Sequence, residues 1–286
     1  MPTYRINFEQ IRQQPALAHL LDALEKAFAH FGIDFYLVGA VSRDVWMSGI
    51  HNLAPKRTTG DIDFAVLINA EGLYEQLRGY LVDTGDFTPS RENAFVFIYK
   101  DGTPVDLLPF GAIEDDDRRV TVDGTGFTSV HVGGFKEVYE KILPQVALGA
   151  HRFKFCSLPG IVLLKLIAWD DRPEARRDDV LDISNILHHY FDMNSEEIWE
   201  EHHDLFARED AELIEIAAIV LGRQISAIVA TAPALQTRIK GILIANTQDP
   251  AKSKMALIMV DYFSNTIADN VKLLSLVLSG LGDAKV

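Results

Sequence analysis

The stretch GDIDFAV, from Gly60 to Val66, sets two acids at alternate positions of an otherwise apolar strand. In a strand, residues i and i+2 point to one face, so Asp61 and Asp63 leave it side by side. Two carboxylates held that close repel, and each is costly unless a cation sits between them. A pair of oxygen ligands on a stiff strand suits a hard divalent ion such as Mg²⁺, or Mn²⁺. A third acid completes a two-metal site, and Asp106 in VDLL is the best candidate. If its strand neighbours that of Asp61 and Asp63, three carboxylates can hold two ions about 3.5–4 Å apart, an arrangement that activates an attacking oxygen and stabilises a leaving phosphate. The plainer reading of Asp106 is an exposed acid on an edge strand.

Upstream lies FYLVGAVSRD. A short apolar strand, Phe35 to Val38, meets a turn at Gly39, and residues 40–48 read as a short helix stopped by Gly49. Glycine lets the backbone approach a ligand, and the amides that follow point at an anion. Ser42 adds a hydroxyl and Arg43 a guanidinium suited to phosphate oxygens. A simple strand-to-helix turn with a solvated arginine is the alternative.

Residues 8–31 have the leucine and phenylalanine spacing of an amphipathic helix, with Pro15 as a possible start. A strand is expected over 61–68 and a helix over 71–83. Strands at 94–99 and 104–110 flank Lys100-Asp101-Gly102-Thr103, a strong hairpin signal. A second hairpin is expected over 119–132, turning at Asp123-Gly124, then a short helix at 135–143 and a strand at 151–156. After Pro159 the pattern becomes almost continuously helical, with helices expected at 158–169, 177–191, 195–206, 209–230, 234–245, 251–268 and 270–280. The chain therefore divides into residues 1–157, with strands and helices, and an all-helical 158–286.

With 286 residues, 48% of them hydrophobic and 24% charged, the chain has the balance of an ordinary soluble globular protein. No window is apolar enough for a membrane span. The polar N-terminus has no signal-like apolar core, and the single cysteine, Cys156, reads as a partly buried strand residue; both features point to the cytoplasm. A net charge of −14 argues against a general nucleic-acid coat. It leaves room for an anionic substrate at a local basic patch formed by Arg43, Lys56, Arg57, Lys165, Arg172, Arg176 and Arg177. The histidine pairs His188-His189 and His202-His203 lack the i, i+4 spacing of a zinc pair and read as surface or core-edge residues.

GAVSRD, DID and VDLL together resemble the signature of the nucleotidyltransferase superfamily that includes DNA polymerase β and the tRNA CCA-adding enzymes. That signature is a Gly-Gly or Gly-Ser turn opening a helix, then Asp-x-Asp, then a third Asp on a later strand. GAVSRD aligns without gaps to the GGxVRD of CCA-adding enzymes, with Ala40 in place of the second glycine and Ser42 in place of the usual valine. LPGIVLLKLIAWDDRPEARRDDVLDI resembles the motif of the abortive-infection AbiEii-type nucleotidyltransferase toxins: a helix with a lysine, a following arginine, and a D-x-x-D turn opening the next helix. The resemblance covers roughly residues 30–190.

It implies an α+β fold, a nucleotidyltransferase-type mixed β-sheet flanked by helices and followed by an all-helical C-terminal domain that completes the nucleotide site; the helices from about 195 on fall outside the resemblance, and acceptor choice is expected to lie there. It implies Asp61, Asp63 and Asp106 as metal-binding catalytic residues, and Gly39, Ala40, Ser42, Arg43 and Lys165 as triphosphate-binding residues. Arg172, with Arg176, would support phosphate or the acceptor. Asp179 and Asp182 match the acidic motif, with Asp182 the functional one. Lys165 sits inside the apolar run IVLLKLIAW, where a charge is costly without a partner, and a triphosphate is a suitable one; the alternative is a lysine snorkelling from a packed helix. For Asp182 the alternative is a helix N-terminal acid paired with Arg176 or Arg177.

The implied activity is metal-dependent transfer of a nucleoside monophosphate from a nucleoside triphosphate to an acceptor hydroxyl, with RNA, tRNA included, as an acceptor and a separate antitoxin protein as partner. The alternatives are a small-molecule (antibiotic-type) or protein nucleotidyltransferase, and a non-catalytic binding protein of the same fold.

Overall fold

A computed structural model describes residues 2–11, 17–57, 59–207 and 212–283. The chain forms two compact units, Met1–Ser157 and Leu158–Val286. Among the described residues, no helix is long and apolar enough to cross a membrane.

The first unit runs β1 (Thr3–Ile6), a 3₁₀ turn (Glu9–Ile11), α1 (Leu17–Phe31), β2 (Phe35–Val38) and α2 (Gly39–Asp44), which passes directly into a π-helical turn (Val45–Ile50). There follow β3 (Ile62–Ile68), α3 (Leu73–Asp83), β4 (Phe87–Pro89), β5 (Val96–Tyr99), β6 (Pro104–Gly111), β7 (Arg119–Thr121), β8 (Ser129–His131), α4 (Phe135–Tyr139), β9 (Gln145–Leu148) and β10 (His151–Phe155). Eight strands form one mixed sheet in the order β1-β9-β10-β2-β3-β6-β5-β4, and β7 and β8 pair separately.

β3 lies inside the sheet, antiparallel to β2 on one side and parallel to β6 on the other. Beyond Asp63 its residues Phe64, Ala65, Val66 and Ile68 are all buried, as expected of a strand covered on both faces. Part of that cover is α1, which buries Leu17, Leu20, Leu21, Leu24 and Phe28. The Phe28 ring packs 4.5 Å from Phe35 and 6.3 Å from Phe64, centroid to centroid. The expected 8–31 helix is thus a short 3₁₀ turn followed by α1; Pro15 lies outside the described residues.

Three short strands, β1, β4 and β9, were not signalled by the sequence pattern. β1 and β4 are the two edges of the sheet, where one neighbour rather than two leaves the apolar alternation weak.

The second unit comprises α5 (Leu158–Asp171), α6 (Arg177–Met193), α7 (Ser195–Glu201), a 3₁₀ turn (His203–Ala207), α8 (Leu213–Val229), α9 (Pro233–Ala245), a 3₁₀ turn (Pro250–Lys252), α10 (Lys254–Met259) and α11 (Ile267–Gly282). Of the expected 209–230 helix, residues 209–211 lie outside the described residues. α8 and α11 cross at backbone contact: a Cβ on Gly222 would fall 2.1 Å from the Val277 carbonyl oxygen, and one on Gly280 would fall 2.0 Å from that of Ile219.

The helix expected over 251–268 is interrupted. Ser253 caps α10, its hydroxyl accepting from the Ala256 amide at 3.1 Å. Thr266 and Asp269 form a capping box that starts α11 afresh, and the polar segment between them need not be helical.

Candidate active site

The backbone brings two of the three acids together. β3 and β6 run parallel with Asp63 opposite Asp106, so the two carboxylates share one face. Asp106 is therefore on an interior strand and half-buried, which corrects the edge-strand alternative. Asp61 immediately precedes β3, is exposed, and accepts a short hydrogen bond from the Thr59 hydroxyl. Thr59 was not singled out from the sequence; a hydroxyl two residues before an acid is too common a pattern to carry a signal.

The turn after β2 abuts the same place. Val38 is the register partner of Asp63, and Gly39 follows with φ +66°. A Cβ at residue 39 would lie 2.0 Å from Asp63 Oδ2 and 2.7 Å from its Cγ. Glycine is required here twice over, by the left-handed backbone and by the approach of the carboxylate. Ala40 is a different matter. Among the described residues, Asn52 and Arg118 are the non-glycine residues with positive φ. Ala40 has an ordinary helical backbone, so alanine is accommodated where the signature has its second glycine.

Ser42 and Arg43 are not displayed to solvent. The Ser42 hydroxyl is wholly buried and donates to the Cys156 carbonyl oxygen at 3.2 Å, an acceptor shared with Trp46 Nε1 at 2.8 Å. Arg43 is 2% exposed and donates through Nε and Nη2 to Asp44 Oδ1 at 2.9 and 2.6 Å. Instead of a solvated arginine, the structure has a buried ion pair with the next residue of α2. Lys56 and Arg57, on the loop leading to Asp61, are exposed and half-buried respectively.

In the second unit, Lys165 reaches Asp179 Oδ1 at 2.6 Å and Asp182 Oδ2 at 2.9 Å. The three side chains are nearly sealed from solvent, at 6, 8 and 1% exposure. Burial alone would pull the lysine pKa down; the two carboxylates outweigh it and hold the ammonium above its ordinary range. The partner demanded by a charge in this apolar helix is thus a pair of acids on α6. The snorkelling reading of Lys165, and the pairing of Asp182 with Arg176 or Arg177, give way to this cluster. Arg176 Nη1 lies 3.8 Å from Asp179 Oδ2, and Arg177 pairs with Asp261. Burial first, and then Arg176 nearby, lower the pKa of the Arg172 guanidinium.

The carboxylates of Asp63 and Asp106, beside a turn that a single Cβ would obstruct, offer oxygen ligands alone, the donor type that a hard divalent cation takes.

No curated protein matches the chain. The similar solved structures include two of nucleotidyltransferase-like or resistance proteins. One is the antibiotic-resistance factor ANT(2'')-Ia, with 10% identity over 79% of this chain and 95% of that one, at a TM-score of 0.38. The other is an antigenic nucleotidyltransferase-like protein from Paracoccidioides brasiliensis, with 13% identity over 77% of this chain and 89% of that one, at a TM-score of 0.40. The family described as "Nucleotidyl transferase AbiEii toxin, Type IV TA system" matches residues 20–256, and the chain belongs to this AbiEii nucleotidyltransferase family.

Proposed function

We propose that the protein transfers a nucleoside monophosphate from a nucleoside triphosphate to an acceptor hydroxyl, in the manner of an AbiEii-type toxin, with RNA such as tRNA as the acceptor and a separate antitoxin as its partner. The observation that carries the reading is the placement of Asp63 and Asp106 in register on adjacent parallel strands, against a glycine whose Cβ would collide with Asp63.

In this reading Asp61, Asp63 and Asp106 hold Mg²⁺ or Mn²⁺, which when bound supplies charge stabilisation at the α-phosphate. Thr59 orients the Asp61 carboxylate. The backbone amides of Gly39, Ala40 and Val41 bind phosphate oxygens, while buried Ser42 and Arg43 hold the turn that presents them. Asp106 accepts the proton of the acceptor hydroxyl. The acceptor oxygen then bonds to the α-phosphorus, the bond from that phosphorus to the bridging oxygen breaks, and pyrophosphate leaves. Arg172 contributes to phosphate or acceptor binding, and the buried acids Asp179 and Asp182 keep Lys165 charged.

The test is incubation of the protein with labelled nucleoside triphosphates and total RNA. Label entering RNA, and reduced at least about 10²–10³-fold by Asp63→Ala, is the expected result. With a protein extract or antibiotics added, label entering these instead of RNA would displace the RNA assignment. Equal Mg²⁺-dependent nucleotide binding by wild type, Asp61→Ala and Asp63→Ala would overturn the metal site. Arg172→Ala is expected to raise the KM for nucleotide or acceptor with an unchanged melting temperature.

A further inference from the structure

A second group of ligand-type side chains sits at the opposite end of the sheet. Asp22 and Glu25 lie one turn apart on α1, and His151 is the first residue of β10. β10 runs parallel to β2, with Lys154 opposite Tyr36 and Phe155 opposite Leu37. The catalytic end begins at Val38, opposite Asp63. At about 3.3 Å per residue, His151 lies on the order of 15 Å from that end along the strands.

The geometry of this group is close. His151 Nδ1 is 2.9 Å from Glu25 Oε2, and its Nε2 is 4.0 Å from Asp22 Oδ1. One ligand atom from each residue can be chosen so that all lie within 4.8 Å of one another. The imidazole is 5% exposed and fixed on a strand, whereas Glu25 is half-buried and Asp22 is open to solvent. The arrangement joins a buried, preorganised nitrogen to two carboxylates on one helical face, with a solvent side through which an ion can enter. Two acids converging on one ring repel each other, and a cation held among them relieves that repulsion. One imidazole with two carboxylates is a borderline donor set. It favours a transition-metal dication of the zinc class over Mg²⁺, whose preference is for oxygen alone.

We propose that Asp22, Glu25 and His151 form a second metal site, for Zn²⁺ or a similar dication, which ties α1 to β10 and is separate from the carboxylates at the other end of the sheet. It uses none of the residues assigned to nucleotide transfer, so its success or failure is independent of that assignment. Binding exchanges the Glu25–His151 hydrogen bond for coordination by one ring nitrogen and one oxygen of each acid, with water in the remaining position.

The test uses the full chain, stripped with chelator and titrated with Zn²⁺ alone, in an Asp61→Ala/Asp63→Ala background that removes the competing acids. One equivalent of bound zinc and a raised melting temperature are expected. Asp22→Ala changes an exposed side chain and is expected to fold; it should weaken zinc binding at least about tenfold. His151→Ala should abolish it. Absence of stoichiometric zinc binding in this background would overturn the proposal, leaving the three residues as a hydrogen-bonded clamp. Zinc affinity unchanged by Asp22→Ala would also overturn it. If His151→Ala fails to fold, the Asp22 variant decides.

Discussion

The carboxylates at the end of β3 and β6 and the acids around Lys165 are two answers to the same problem, negative charge placed next to apolar structure. Asp61 is exposed and Asp63 and Asp106 are half-buried. Asp179 and Asp182 are almost fully buried and are bonded to a buried ammonium. The first group is only partly covered; in the second the charge is consumed in holding α5 to α6. Sealed opposite charges are part of the fold and fail when either member is removed.

The comparison is broken most directly at Lys165. Lys165→Ala leaves two buried carboxylates without their ammonium and is expected to destabilise the protein by about 3–5 kcal/mol, measured by denaturant unfolding. Asp63→Ala should cost activity while leaving stability nearly unchanged. If the two variants lose similar stability, the division between the two groups fails. Gly39→Ala comes next: the left-handed backbone and the contact with Asp63 should together cost about 1–3 kcal/mol, with a loss of turnover that exceeds the loss of folded protein at the assay temperature. Ala40→Gly is the smallest effect. Because residue 40 is ordinary helix, restoring the second glycine of the signature should destabilise by roughly 0.5–1 kcal/mol and leave the rate unimproved. A marked gain in rate would show that Ala40 does constrain the turn.

What the sequence made legible is local in character. Alternation of Asp61 and Asp63 defines a strand face without any knowledge of neighbours, and the shift from strand to helix periodicity near Pro159 is visible in the apolar spacing alone. Pairing of β3 with β6 is not local; an acid in VDLL becomes a partner of Asp63 only once the helix and strands between them have folded. The same limit explains Ser42 and Arg43, whose types suggest phosphate ligands but whose partners are the next residue and a carbonyl far along the chain. The cost of a charge at Lys165 was readable, but its partners lie on the next helix. The break after Met259 coincides with the weak helix formers Asp261 to Thr266, and the capping pair Thr266 and Asp269 restarts the helix.

The contact of Gly39 with Asp63 has an evolutionary consequence. The space a side chain at 39 would occupy is the space the carboxylate at 63 already fills, so neither position can drift without regard to the other. Truncating Asp63 first would open the pocket and leave only backbone strain against a substitution at 39. Substituting Gly39 first would push on an intact carboxylate. The order of mutation therefore decides the penalty, and a lineage that had lost the acid would be free to lose the glycine. The presence of both in this chain is the state in which each still restricts the other.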